Sequence, residues 1–212
     1  MDKEYTEPTA FCDCGDSGVR RKSLALSSGC AGPVGAAVAV FDFVREEIPY
    51  RFDYPARHAS ETLAAKRGNC FNKANLQVAL MRAMGVCAGY EVMLVTREIF
   101  RPLLPARIFE MVREPTVHVC AACCRDGKWI SADATIDGEI FSAFYRGRNG
   151  WKHESWDGLS RERIPAEFVL EHQGVYAGVD LFLQTPPRFW NDDLLQEANA
   201  YLEKNLNERR RK

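Results

Sequence analysis

The sequence predicts an α+β fold, in which helices come first and an antiparallel sheet follows. Apolar residues recur at helical spacing over 34–48 and over 70–84, which predicts two helices, the second of them largely buried. Residues 90–95 are typical of a strand, and residues 117–135 are typical of a hairpin. At 212 residues the chain can bury one good core, so we expect one main domain with short appendages.

Three segments are predicted along the chain. Residues 1–32 combine many Gly, Ser and Asp residues with little apolar periodicity, which predicts a loop-rich N-terminal leader. Residues 33–190 form the main domain, and residues 191–212 form a C-terminal helix with a basic tail. Inside the main domain, the three prolines of residues 97–116 indicate an irregular excursion that faces a substrate, and residues 179–183 are expected to add a strand.

Charge and composition exclude two kinds of partner. With 28 Lys and Arg against 29 Asp and Glu, the chain lacks the positive excess by which proteins engage nucleic acid. The apolar run 34–44 contains Asp42 and is too short to span a bilayer, so no membrane is expected either. The Arg20-Arg21-Lys22 cluster precedes only three apolar residues, too few for an export signal, and we expect a cytoplasmic protein.

Eight cysteines raise the question of disulfides and metals, and they stand at positions 12, 14, 30, 70, 87, 120, 123 and 124. A chain of this length without an export signal is not a small disulfide scaffold, so we expect mostly reduced thiols. Structural zinc bound by Cys120, Cys123 and Cys124 together with the leader cysteines is one alternative. Strand alternation places Cys120 and Cys123 on opposite faces, which suits one metal ion poorly and favours small buried side chains.

Cys70 stands where the central helix is predicted to begin, directly after Gly68-Asn69. A sulfur at a helix N-terminus meets the positive end of the helix dipole and free backbone N–H groups, and both favour the thiolate over the thiol. Cys70 is therefore the candidate nucleophile, and its own backbone N–H is a candidate donor to a developing oxyanion. Tyr50 and Asn69 are further candidates for that donor role.

The predicted hairpin has a defined register if Asp126-Gly127 form a two-residue turn. Arg125 then pairs with Lys128, and continuing the ladder places Cys120 opposite Asp133. Because successive side chains alternate between faces, Cys120 and Asp133 point to the same side of the sheet. Cys120 is thus a candidate for lining a pocket on that side.

The same register places His118 opposite Thr135 and on the face that carries Asp133. His118 and Asp133 are then diagonal neighbours with Cα atoms roughly 7–8 Å apart, within reach of an imidazole–carboxylate hydrogen bond. These two residues supply what a cysteine nucleophile needs. His118 is the candidate proton acceptor and donor, and Asp133 is the carboxylate that orients it.

An ordered set of fragments resembles the transglutaminase-like superfamily, whose fold and chemistry are similar to those of papain-type cysteine proteases. The fragments are residues 64–70 ahead of the central helix, residues 80–86 at its end, His118 on a strand, and Trp129 before residues 133–135. The resemblance covers about residues 34–137. It implies a papain-like catalytic domain with a helical layer on an antiparallel sheet, and Cys70, His118 and Asp133 as the catalytic triad.

The resemblance implies an acyl-transfer enzyme that acts on an amide or peptide-like donor through a Cys70 thioester. The reaction ends in hydrolysis or in transfer to an amine, and it needs no metal or organic cofactor. The expected partners are a peptide or small-molecule amide and, for transfer, an amine acceptor. The lack of an export signal favours a hydrolase or biosynthetic amide transferase over a secreted cross-linker. A non-catalytic binding module with this fold and a structural-zinc protein are the alternatives.

Two positions depart from the pattern of the superfamily, which often has Trp where this chain has Cys120 and Pro where it has Ala134. Three other histidines show no pattern of partners and are expected on the surface or in loops, namely His58, His153 and His172. Three tryptophans are expected to complete the core rather than to build a pocket, namely Trp151, Trp156 and Trp190.

Overall fold

The structure is a computed structural model, and it describes residues 3–147, 151, 153–161, 163–183 and 191–211. Trp190, with which the predicted main domain ends, and Lys212 lie outside the described residues. The division into leader, main domain and C-terminal helix therefore stays a prediction.

The described elements follow the predicted order, with most helices before an antiparallel sheet, and the predicted α+β class is confirmed. The helices are α1 (Ser17–Ser27), α2 (Gly32–Glu47), α3 (Ala59–Ala65), α4 (Cys70–Ala83), α5 (Ala106–Phe109), α6 (Gly138–Ile140) and α7 (Asp192–Arg210). The strands are β1 (Ala88–Val95), β2 (Thr116–Arg125), β3 (Lys128–Ala132) and β4 (Val169–Tyr176). Shorter helical turns occupy Lys3–Tyr5, Arg97–Phe100, Phe141–Tyr145, Ala166–Phe168 and Asp180–Phe182.

The central helix α4 lies between α1, α2 and α3 on one side and strands β1 and β2 on the other. It is buried along almost its whole length, including its polar side chains. Asn75 Nδ2 donates to the carbonyl of Phe11 at 2.8 Å, and Gln77 Nε2 donates to the carbonyl of Ala132 at 2.9 Å. Because buried polar groups need hydrogen-bond partners, these contacts fix α4 against both of its neighbouring layers.

The sheet has the strand order β3-β2-β1-β4, and every neighbouring pair is antiparallel. The predicted β2–β3 hairpin is confirmed, with pairs running from Arg125–Lys128 to Ala121–Ala132. Asp126 and Gly127 both have positive φ, 49° and 73°, as a type I′ turn requires. The turn chemistry therefore sets the register of the two strands.

The predicted extension of this ladder through Asp133 and Thr135 is wrong, because β3 ends at Ala132. The Asp133 side chain explains the ending. Its Oδ1 accepts the backbone N–H of Thr135 at 3.1 Å, which is an Asx turn that diverts the backbone from strand pairing.

The leader is not loop-rich throughout, because α1 occupies Ser17–Ser27. Asp16 caps this helix by accepting the backbone N–H groups of Gly18 and Val19. Ser23 Oγ donates to the carbonyl of Leu80 at 3.0 Å and so joins α1 to α4. No single helix in the described ranges is long and apolar enough to cross a membrane; α1 and α2 meet the criteria only together, across a 116° bend.

The strand expected at residues 179–183 is also wrong, since Asp180–Phe182 form a short helical turn. The fourth strand is β4, which pairs with β1 at the edge of the sheet. Most of its side chains are exposed, so it has no run of alternating buried residues. That pattern gives no signal for a half-buried strand.

The two faces of the sheet pack against different partners. Ala88, Tyr90, Val92, Val119 and Ala121 face α4 and the other early helices. The opposite face is covered by another part of the chain, and its cluster contains Met93, Val95, Cys120, Ile164 and Phe168. The confirmed alternation therefore separates a helix-covered face from a loop-covered face.

Arg82, near the end of α4, joins three distant parts of the backbone. Its buried guanidinium donates to the carbonyls of Glu7 at 2.6 Å, Ala88 at 3.0 and 2.8 Å, and Ala177 at 2.7 Å. The planar fork of arginine suits several acceptors at once. These hydrogen bonds hold the N-terminal segment, the start of β1 and the chain after β4 together.

Arg82→Lys is expected to lower the free energy of unfolding by at least about 2 kcal/mol, because one ammonium cannot reach three carbonyls and leaves buried acceptors unpaired. The measurement is urea unfolding followed by far-UV circular dichroism. Arg125→Lys in the exposed hairpin is the control and should stay within about 0.5 kcal/mol of the wild type. Equal midpoints for both variants would contradict the role given to Arg82.

Candidate active site

Cys70 is the first residue of α4, and its buried sulfur lies at the helix N-terminus. The helix begins here because of a reciprocal cap between Asn69 and Asn72. Asn72 Oδ1 accepts the backbone N–H of Asn69 at 3.0 Å, and Asn69 Oδ1 accepts that of Asn72 at 3.2 Å. The cap leaves Cys70 in the first turn, where the helix dipole favours an anion.

Gly68 permits the close packing behind this helix start. A Cβ atom at Gly68 would come within 2.5 Å of the Asn72 Cβ atom, which is far inside van der Waals contact. The backbone of Gly68 also bridges that of Tyr50, with Arg51 N–H donating to the Gly68 carbonyl at 3.0 Å. The segment that carries Tyr50 is therefore fixed beside the N-terminus of α4.

His118 and Asp133 are brought together as the sequence predicted. His118 Nε2 and Asp133 Oδ2 are 2.7 Å apart, and both side chains are buried. Asp133 is itself oriented by the Thr135 N–H on its other oxygen. His118 and Cys70 line one small space, and because Nε2 faces Asp133, Nδ1 is the nitrogen available to the sulfur.

The charges of this group determine its protonation. Burial acts to lower the pKa of His118, but the Asp133 carboxylate, their hydrogen bond and the contact with Cys70 raise it to about 10. Burial acts to raise the pKa of Asp133, and the His118 charge with the hydrogen bonds from His118 and Thr135 holds it below its usual value. At neutral pH the pair is therefore an imidazolium and a carboxylate.

An open cavity of about 190 Å³ lies in front of Cys70. Its lining combines the helix start, the Tyr50 segment, Phe182 and several residues of the 97–116 excursion. The excursion thus lies beside Cys70, where a substrate-facing loop was expected. A second, smaller space of about 10 Å³ is lined by Cys70, His118 and Tyr50 among other residues.

Tyr50 and Asn69, the two side chains considered as oxyanion donors, lie in different surroundings. Asn69 Nδ2 donates to the carbonyl of Asp53 at 2.7 Å while its oxygen caps Asn72, so the Asn69 amide is held at both ends. Tyr50 lines both cavities that contain Cys70. Burial, and next the charge of Cys70, raise the pKa of Tyr50 well above its usual value, which keeps the phenol protonated as a donor.

A buried ionic group near Asp133 and Cys120 was not predicted. Glu91 on β1 accepts hydrogen bonds from Arg163 and Ser131, and Cys120 Sγ lies 3.8 Å from the Glu91 carboxylate. Burial, followed by the charges of Asp133 and Glu91, raises the pKa of Cys120 well above its usual value. Cys120 thus lies on the face that carries His118 and Asp133, as predicted, and it remains a thiol at neutral pH. A Glu within an apolar strand was the only available sequence signal for this group.

Lys73 is a second buried charge that sequence reasoning missed. It lies one turn beyond Cys70, and its Nζ atom donates to the carbonyl of Arg45 at 3.4 Å. Burial lowers the pKa of Lys73 to about 8, against the opposing charges of Asp137, Glu46 and Asp133. A lysine inside a buried helical stripe is the signal that indicates such a site.

The other three histidines lie on different elements from Cys70, His118 and Asp133. His58 precedes α3, His153 packs on Phe141, and His172 lies on β4. All eight cysteines are free thiols. Cys123 belongs to the cluster on the helix-covered face, opposite Cys120 as predicted. Across the residues with described positions, no three His, Cys, Asp or Glu side chains are grouped as ligands for one metal ion.

Trp156 and Trp151 pack as core residues, as expected. Trp156 is buried against Phe41, and Trp151 contacts the rings of Phe141 and Tyr145. Trp151 also lines a small space beside Asp133.

Comparison with protein families gives a match to the model of the transglutaminase-like superfamily over residues 21–134. The chain belongs to the transglutaminase-like superfamily. The match supports a cysteine-type enzyme at the level of the superfamily, and it begins inside α1 of the predicted leader. No curated protein matches the chain significantly.

A solved structure from Cytophaga hutchinsonii, described as a "Putative Cysteine Protease", resembles this transglutaminase-like protein with a TM-score of 0.51 and 20% sequence identity. The similar region covers 64% of this chain and 43% of the other protein. The likeness confirms the papain-like, transglutaminase-like fold. The present chain spans less than half of the length of that protein.

The ionic pair predicts how the stability of this transglutaminase-like protein depends on pH. The folded pKa of His118, about 10, lies above its unfolded value of roughly 6.5. The stability that comes from His118 is therefore fully present below pH ~6.5 and is lost as the pH rises through about 10.

Urea unfolding of the wild type and of His118→Gln at pH 6, 8 and 10 measures this effect. The free energy of unfolding of the wild type should exceed that of the variant by the largest amount at pH 6 and by the smallest amount at pH 10. A difference that stays constant over this range would contradict the ion pair. Using the difference between the two proteins removes the pH dependence of groups that they share, such as Lys73.

Proposed function

We propose that the protein is a cysteine-nucleophile acyl-transfer enzyme in which Cys70, His118 and Asp133 act as the catalytic triad. The observation that carries the proposal is one chain of contacts that ends at an open cavity. Cys70 at the start of α4 lines both this cavity and a smaller space that His118 also lines, and His118 Nε2 is 2.7 Å from the Asp133 carboxylate. The order nucleophile, base and orienting acid is that of a nucleophile activated for acyl transfer.

Acylation of the enzyme begins with the Cys70 thiolate, which the His118 imidazolium stabilises. The thiolate attacks the carbonyl carbon of an amide or peptide-like donor, an S–C bond forms, and the carbonyl oxygen takes the negative charge. When the tetrahedral intermediate collapses, the C–N bond breaks and the departing nitrogen receives the proton of His118. A Cys70 thioester, a free amine and a neutral imidazole remain.

Deacylation uses the neutral His118 as a base. His118 takes a proton from water or from an acceptor amine as its oxygen or nitrogen attacks the thioester carbon. The C–S bond then breaks, the thiolate returns to Cys70, and the product is a carboxylic acid or a new amide. Asp133 stabilises the imidazolium in both half-reactions.

The developing oxyanion requires donors near the sulfur. The backbone N–H of Cys70 at the helix N-terminus is one, since the first N–H groups of a helix have no partner within it. We assign the Tyr50 hydroxyl as the second donor, because Tyr50 lines the cavity at Cys70 while the Asn69 amide is engaged in capping. No metal ion or organic cofactor takes part in these steps.

Cys70→Ala is expected to abolish formation of an acyl adduct with activated esters or candidate amides, because the nucleophile is removed. Intact mass spectrometry with peptide mapping measures the adduct. Cys120→Ala is a matched control that removes another buried thiol on the triad face and should retain the adduct at Cys70. An adduct of equal yield in the Cys70 variant would refute the assignment and favour a non-catalytic binding module.

The same reaction, run with and without an added amine and analysed by mass spectrometry, identifies the acceptor. A mass increase that corresponds to the amide shows transfer, and an acid product in both cases shows hydrolysis.

Tyr50→Phe is expected to lower kcat by roughly 10²-fold if the phenol donates to the oxyanion, with a much smaller effect on KM. The substitution removes one oxygen and keeps the ring that packs edge-on against Phe52. Steady-state kinetics with the candidate amide that acylates Cys70 fastest separates the effect on kcat from the effect on KM. Thermal unfolding checks that the variant is folded. An unchanged kcat in a folded variant would remove Tyr50 from the mechanism.

A further inference from the structure

The cavity in front of Cys70 is mainly apolar and rich in aromatic rings. Tyr50, Phe52, Phe71, Phe100 and Phe182 contribute to its described lining. Its volume of about 190 Å³ is small, so it suits one side group of a substrate rather than a folded protein surface. The chemistry of this wall favours an apolar group next to the reacting carbonyl.

Arg113 is the one charged side chain in the described lining of this cavity. It is exposed and follows the buried Val112. Its position at the opening places a guanidinium near any substrate whose carbonyl reaches Cys70. A guanidinium binds carboxylates well because its planar donors match the two oxygens.

The acidic side chains of the 97–116 excursion are already paired with other arginines. Glu110 and Glu114 lie 3.1 and 3.8 Å from the guanidinium of Arg97, and Glu98 lies 2.5 Å from that of Arg101. Within the described ranges, Arg113 forms no ion pair or side-chain hydrogen bond with another residue. The excursion therefore presents one uncompensated cation, and that cation is at the cavity.

We propose that Arg113 selects an anionic acyl donor, namely an amide that carries a carboxylate together with an apolar group beside the scissile carbonyl. This inference rests on the proposed function of Cys70. The apolar group fills the aromatic cavity, and the carboxylate pairs with Arg113 at the rim. Arg113 acts on binding and specificity, and the bond-making steps at Cys70 remain those described above.

Alkylation of Cys70 by iodoacetate and by iodoacetamide tests the charge preference without a known substrate. The two reagents are close in size, and only iodoacetate is an anion. The readout is the ratio of their second-order rate constants at Cys70, obtained by peptide mapping of the full-length protein. In the wild type this ratio includes the attraction of Arg113.

Arg113→Ala should lower the ratio of iodoacetate to iodoacetamide by roughly threefold or more, as expected for loss of one partly screened charge. Arg113→Glu should lower it further, and Arg113→Lys should keep most of it. The decrease in this ratio should be smaller in 0.5 M salt, because salt screens exposed charges.

Arg125→Ala is the matched control, because it removes the same charge from the exposed hairpin turn. Arg125 lies seven residues along β2 from His118, roughly 24 Å away. An equal fall in this control, or no change in any Arg113 variant, would overturn the inference. Fast alkylation of Cys70 with an unchanged ratio would reject only the role of Arg113. If Cys70 reacts no faster than the other thiols with either reagent, the proposed nucleophile itself is rejected.

Discussion

α4 begins at Cys70 because Asn69 and Asn72 cap each other, and this reciprocal pair of hydrogen bonds fixes the position of the sulfur. The cap requires Gly68, since any side chain there would overlap Asn72. Gly68 in turn pairs with the backbone of Tyr50, so the wall of the cavity is tied to the same point. A shift of the helix start by one residue would rotate the sulfur by roughly 100° away from His118.

The sheet supplies the other half of the site, and the two halves are rigid for different reasons. His118 and Asp133 are held by the hairpin register up to Ala132 and then by the Asx turn at Asp133. Arg163 reaches the same face and pairs with Glu91, which joins the covering segment to β1. An ion pair of this kind adds little net stability. The site thus combines the capped N-terminus of α4 with the end of β3, which the Asx turn at Asp133 holds in place.

Local rules in the sequence predict much of this arrangement. Helical spacing located α2 and α4, and the Asp126-Gly127 turn gave the correct pairing of β2 with β3. The position of His118 next to Asp133 followed from strand alternation, although the ladder itself stops before Asp133. These features depend on neighbours within a few residues or across one tight turn, and local sequence patterns therefore predict them.

The features that escaped prediction depend on tertiary contacts. α1 forms among residues typical of a loop because its buried side chains meet α4, as the Ser23–Leu80 hydrogen bond shows. β4 carries no alternating pattern because it is an exposed edge strand that depends on β1 for its hydrogen bonds. The charges of Lys73 and Glu91 are buried by parts of the chain far away in sequence. Sequence periodicity contains no information on such distant partners.

The three-way contact of Arg82 has a consequence for how the protein is made. The guanidinium is satisfied only when Glu7 and Ala177 have both arrived, and these residues are far apart in the chain. A growing chain that has emerged just past β3, as far as Asp133, already contains the proposed triad, but one arm of Arg82 still lacks its acceptor. Closing such a long loop is slow compared with forming local helices. Completion of this contact therefore waits until Ala177 has left the ribosome, although Cys70 and His118 are synthesised much earlier.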